Sequence, residues 1–115
     1  TDREADSSPI MEAVQAIAVR EFAPLKEGAQ RRLIIVSDLL QHTPELSLYK
    51  AVPDIGAFRR SSYGQRVECD LHGVKTQVHR LNSATAKRME EVVPFWLDWL
   101  MFQGADIEGL FKVPG

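Results

Sequence analysis

Ser37-Asp38 closes the most apolar run of the chain, Arg32-Leu33-Ile34-Ile35-Val36. It therefore stands at the carboxyl end of a predicted strand, the edge of an open α/β sheet where ligands bind. A carboxylate there holds a hard cation directly or through water, and a serine hydroxyl adds a neutral oxygen. Equally, Asp38 or Ser37 caps a tight turn and binds nothing. Ser7 and Ser8 pose the same alternative: ahead of Pro9 they suit a helix start, with Glu12 near a capping-box position. A hydroxyl at a helix start also reaches a metal or anion near strand ends.

The remaining reactive residues are scattered. His42, His72 and His79 fall in a loop, a helix end and a strand, without His-x-x-x-His spacing, and read as solvated or hydrogen-bonded. Cys69 has no neighbour that marks an activated thiolate and reads as a small apolar group. No nucleophile elbow and no phosphate-cradling glycine loop is present, and Asp54, Glu68 and Asp70 show no acid-base pairing. Arg59-Arg60 with Tyr63 and Arg66 makes either a basic strip for a phosphate or acidic partner, or a solvated helix face.

The elements that must position these groups follow from periodicity. Ile10, Met11, Val14, Ile17, Ala18 and Phe22 describe one helical face, ended near Pro24 and Gly28. The unalternating run from Arg32 predicts a strand buried on both faces. Residues 41–57 predict a long surface connection, and Phe58 to His72 a helix closed by a left-handed Gly73. Val74 to Leu81 alternates, with Val74, Thr76, Val78 and Arg80 on one side, and predicts a strand nearer a sheet edge. A last helix is expected from about Ala86 to Gln103, kinked at Pro94, with Asn82-Ser83-Ala84-Thr85 supplying start signals. Its crowded aromatics, Phe95, Trp96, Trp99 and Phe102, imply either that Trp99 or Phe95 marks an interface or that the kink turns both rings inward. Asp106 to Pro114 forms a short strand or extended tail. This order predicts a partial doubly wound, Rossmann-like α/β fold, a mainly parallel sheet with flanking helices and right-handed crossovers.

The 115 residues, 44% hydrophobic and 26% charged, support one domain over 1–115. A net charge of -2 gives no field toward nucleic acid or an anionic membrane, and no apolar run approaches the ~20 residues of a membrane span. A single cysteine points to a reducing, cytoplasmic setting. The polar start at Thr1, with no initiator Met and no secretory signal, reads as a cloning or cleavage boundary. Two or three strands make a thin sheet against the usual ~5, so earlier residues of a longer protein or a second copy should pair with the apolar strand.

Ser8-Pro9-Ile10-Met11-Glu12-Ala13, Leu33-Ile34-Ile35-Val36-Ser37-Asp38, Gly73-Val74-Lys75-Thr76-Gln77-Val78 and the final helix resemble the later half of a von Willebrand factor A-like domain. That resemblance implies a doubly wound sheet with a metal-ion-dependent adhesion site, Ser8 standing where the family has a Thr ligand and Asp38 where it has a later Asp. Mg2+ or Mn2+ is then expected only if the Asp-x-Ser-x-Ser loop, absent here, is supplied. Leu39 follows Asp38 where the family often has Gly.

The leading expectation is a non-enzymatic protein-interaction or assembly module, the C-terminal portion of such a domain. A protein partner would contact the 41–57 loop, and two copies could join through an exposed strand edge or the aromatic helix. The alternative is a metal-assisted hydrolase or phosphotransferase, with Asp38 on the ion and His42 as acid/base.

Overall fold

The structure, a computed structural model, describes residues 7–82 and 89–113. Helix α1 spans Ile10–Ile17 and continues through a π-helical turn, Ala18–Phe22. Strand β1 is Arg31–Ser37; two short helices, α2 (Ile55–Arg60) and α3 (Ser62–Arg66), lead to β2, Val74–Leu81; α4 (Met89–Phe102) leads to β3, Asp106–Val113. The strands are all parallel, in spatial order β1-β2-β3, with a register shift at Thr76/Gln77. The fold is thus a partial Rossmann-like α/β layer.

The helices and the inward side of the sheet enclose the core. Leu33 and Ile35 of β1 and Val74, Thr76 and Val78 of β2 are buried beneath Met11, Val14, Phe58, Trp96 and Leu100. Trp96 and Trp99 meet edge to face at 5.3 Å, and Phe58 and Phe95 at 5.4 Å. Fully burying such side chains contributes ~1.5–3 kcal/mol each. The aromatic crowding of α4 is therefore resolved inward: Trp99 and Phe95 are buried and mark no interface, while Met101 and Phe102 are the exposed ones. Pro94 lies inside the helix, as expected, and the expected start near Ala86 lies outside the described residues.

Four expectations are corrected. β1 is not buried on both faces: Ile34 and Val36 are 54% and 59% exposed, because the helices cover one side only. β2 is central rather than near an edge, and its polar alternation reflects that same uncovered side. The helix expected from Phe58 breaks at Ser61, whose extended backbone lets its Oγ accept the Gly64 N–H at 3.0 Å and start α3. Neither Ser7 nor Ser8 caps α1. Pro9 holds that position without a side-chain bond, and Ser8 pairs its main chain with His42 instead. The expected left-handed Gly73 is present at φ +74°, and the tail becomes a full strand, β3.

Candidate functional site

At the carboxyl edge of the sheet, β1 ends in two successive side-chain-closed turns. Ser37 Oγ accepts the Leu39 N–H at 2.9 Å, and Asp38 Oδ1 accepts the Leu40 N–H at 3.0 Å. Between them Leu39 takes φ +63°, a left-handed conformation that costs a non-glycine residue ~1–2 kcal/mol. Its full burial and the Trp96 indole N–H donated to its carbonyl at 2.7 Å offset that cost. Asp38 is thus the turn former its position allows.

Gln41 is the buried hub of this edge. Its Oε1 accepts the Met11 N–H at 2.8 Å, and its Nε2 donates to Glu12 Oε1 at 2.9 Å and to the Tyr63 hydroxyl at 2.7 Å. Tyr63 in turn donates to Glu12 Oε2 at 2.5 Å. Burial first, then the bond to Glu12, push the Tyr63 phenol up to about 12, so it stays a donor across the ordinary pH range. Glu12, expected in a capping box, instead ties α1 to α3. Nothing in the sequence around Gln41 marked it, because a hub of this kind is made by long-range contacts.

Beyond it, Ser8 and His42 exchange both main-chain bonds, at 2.8 and 3.1 Å, and Ser7 Oγ donates to the His42 carbonyl at 3.4 Å. The His42 ring meets Ser47 Oγ through Nδ1 at 2.8 Å and the edge of Tyr49 at 5.6 Å. Ser7, His42 and Ser47 line an open cavity of about 740 Å³ together with Glu45 and Lys50. Glu45 is held below the usual carboxylate range, first by a backbone hydrogen bond and then by Arg66, whose guanidinium is 2.7 Å away.

The predicted groups are therefore brought together only in part. Ser8 joins Ser7, His42 and Ser47, whereas the described Asp38 carboxylate contact is local, to Leu40. Among the described residues no group of three His, Cys, Asp or Glu side chains could hold a metal ion. The basic strip is dispersed: Tyr63 is buried, Arg66 pairs with Glu45, and Arg59 lies 3.8 Å over the Phe102 ring. Cys69 is half-buried, and burial raises its thiol to about 11, which keeps it un-ionised and unreactive at neutral pH.

A second surface was not anticipated. The outer side of the sheet carries Arg32, Ile34 and Val36 on β1, level with Lys75, Gln77 and His79 on β2. On β3 the bulge turns both Glu108 and Gly109 outward, and the Phe111 ring lies down over Gly109 and stacks on His79 at 4.7 Å. A Cβ on Gly109 would meet that ring at 2.7 Å, so the glycine keeps the surface flat. Ile34, Val36 and Phe111 are about half exposed, and no described element covers them or pairs with the free edges of β1 and β3. The lack of alternation in the β1 sequence concealed which of its residues point outward.

No family model, no curated protein and no solved structure matches the chain. Among the described residues, no helix is long and apolar enough to cross a membrane.

Proposed function

We propose that this chain is a non-enzymatic protein-interaction and assembly module, a part of a von Willebrand factor A-like layer whose sheet is completed by protein docked on its bare side. One observation carries the reading: the outer face of a parallel sheet, with Ile34, Val36 and Phe111 about half exposed, has no covering layer among the described residues. Parallel sheets bury both faces, and an apolar patch on such a face is an interaction surface. The sequential parallel order supports the resemblance, as does Leu39 at φ +63°, where that family often has glycine.

Within this reading Ser8 and Asp38 are the chain's share of a divalent-cation site, and the remaining donors are those of the Asp-x-Ser-x-Ser loop that the resemblance implies. By themselves these residues do not fit Mg2+ or Mn2+, which need several more oxygen donors. A cytoplasmic setting belongs to the same proposal and rests on the lone Cys69. The hydrolase or phosphotransferase alternative rests on His42 as acid/base, and the Nδ1 of that ring meets Ser47 Oγ at 2.8 Å.

The test is retention of protein partners by the immobilised chain against an Ile34→Lys, Val36→Lys double variant whose circular dichroism is unchanged. Retention by the wild type and its loss in the variant is the expected result; undiminished retention by the variant would refute the outer face as the docking surface.

A further inference from the structure

Resting on that reading, we infer that the protein docked on the outer face is a second copy of this chain, packed sheet to sheet about a two-fold axis that runs along β2. The face is polarised from side to side. At its amino end β1 presents Arg32, while β3 presents Asp106 and Glu108; further along, β1 presents aliphatic Ile34 and Val36, while β3 presents the flat Phe111 ring. A two-fold along the strands reverses left and right but keeps each level. Arg32 of one copy then faces the acidic pair of the other, and Ile34 and Val36 face the other Phe111, twice over.

The alternative two-fold, across the strands, sets amino ends over carboxyl ends. It would place Arg32 over Val36 and Glu108 over Phe111, burying charge on apolar groups at a cost. Charge pattern and apolar pattern thus select the same axis. Lys75 meets its own copy near that axis, across an intersheet gap of ~10 Å and with Asp106 beside it in each sheet. The intrachain Arg32–Glu108 pair, 3.3 Å long and partly exposed, is available to exchange partners.

Three strands about 4.8 Å apart and some 25 Å long present roughly 15 by 25 Å. Two copies bury on the order of 700–1,000 Å², at or below the ~1,000 Å² that a stable specific complex clears, so the dimer is a weak, transient one.

Sedimentation equilibrium up to about 1 mM chain tests this. The wild type should dimerise; Arg32→Glu alone and Glu108→Arg alone should each weaken self-association about tenfold or more, since each face then opposes like charges. An equimolar mixture of the two variants should recover it. In the mixed dimer the introduced carboxylate of one variant faces the introduced guanidinium of the other, and the native Glu108 faces the native Arg32. An intrachain role for the pair does not predict that recovery. Monomers throughout, or a dimer indifferent to the charge variants and so built on the β1 edge, would overturn the inference. If the chain stays monomeric but still retains a different protein through Ile34 and Val36, the second copy is refuted while the interaction reading stands. Failure of both refutes both.

Discussion

Gln41→Ala is the most informative single change at the carboxyl edge. The Gln41 side chain is wholly buried and makes three hydrogen bonds that tie the α1 start, the loop and α3 together. Truncation leaves the Met11 N–H, a first-turn donor of α1 with no intrahelical partner, buried and unpaired, which costs about 1–3 kcal/mol. Glu12 and Tyr63 keep their mutual bond and each loses one partner, about 0.5–1.5 kcal/mol apiece. Allowing for partial relaxation, the loss should be about 3–4 kcal/mol, a large part of the roughly 5–15 kcal/mol stability typical of a domain. Urea unfolding should show this as a lowered midpoint at constant m, and thermal unfolding as a fall of roughly 12–16 °C at about 4 °C per kcal/mol. Gln41→Met, which refills the volume but restores no bond, should recover about 1 kcal/mol at most. A loss below about 1 kcal/mol for Gln41→Ala, or full recovery by Met, would refute the hub.

Tyr63 gives a pH signature. An unfolded tyrosine ionises near 10 and the native one at about 12, so the native state keeps its proton in that window. The stabilisation is complete below pH 10 and is lost as pH rises through 12, at most about 3 kcal/mol. Tyr63→Phe should lower stability at pH 8 and flatten its decline between about pH 10 and 12; equal slopes for the two proteins would count against the assignment. The glycines separate space from backbone strain. A Cβ at Gly64 would lie 1.9 Å from the Phe58 carbonyl oxygen, whereas one at Gly73, φ +74°, meets nothing within 4 Å. Gly64→Ala should therefore cost more than about 3 kcal/mol or abolish folding, and Gly73→Ala only about 1–2 kcal/mol, by thermal unfolding. Similar costs would refute the close approach of α2 and α3.

Local patterning carried the α/β class, the first and last helices and strands β1 and β2, and it read β3 as either a strand or an extended tail. Alternation in Val74 to Leu81 identified its buried side correctly, since period-two burial is written into the residues themselves. What failed depended on neighbours the sequence does not display. β2 looked like an edge because its outer residues are polar, yet it is central to a layer with one wet side. Ser7-Ser8-Pro9 had the composition of a cap, but main-chain pairing with His42 displaced that local solution. Asp38 was legible as a strand-end group, and there its Oδ1 accepts the Leu40 N–H and closes a turn. The outer face stayed hidden because Leu33 to Val36 are all apolar, and only the register of the sheet assigns Ile34 and Val36 to the side without helices.

That one-sidedness follows from topology rather than from residue choice. Strands that succeed one another in a single lateral direction, each joined by a right-handed crossover, place every connecting helix on the same face. The β1-β2-β3 order does this: α2, α3 and α4 all connect strands in one direction, and the buried residues Leu33, Ile35, Thr76 and Val78 share the side they cover. A second helical layer arises only where strand order reverses, which the described strands never do. The opposite face must therefore be solvated or covered from elsewhere. Its composition is intermediate: Gln77 and His79 suit water, but Ile34, Val36 and a Phe111 laid flat over Gly109 do not. Flatness and opposed charges across one sheet are what sheet-on-sheet packing requires, and they are the features on which the proposed protein contact rests.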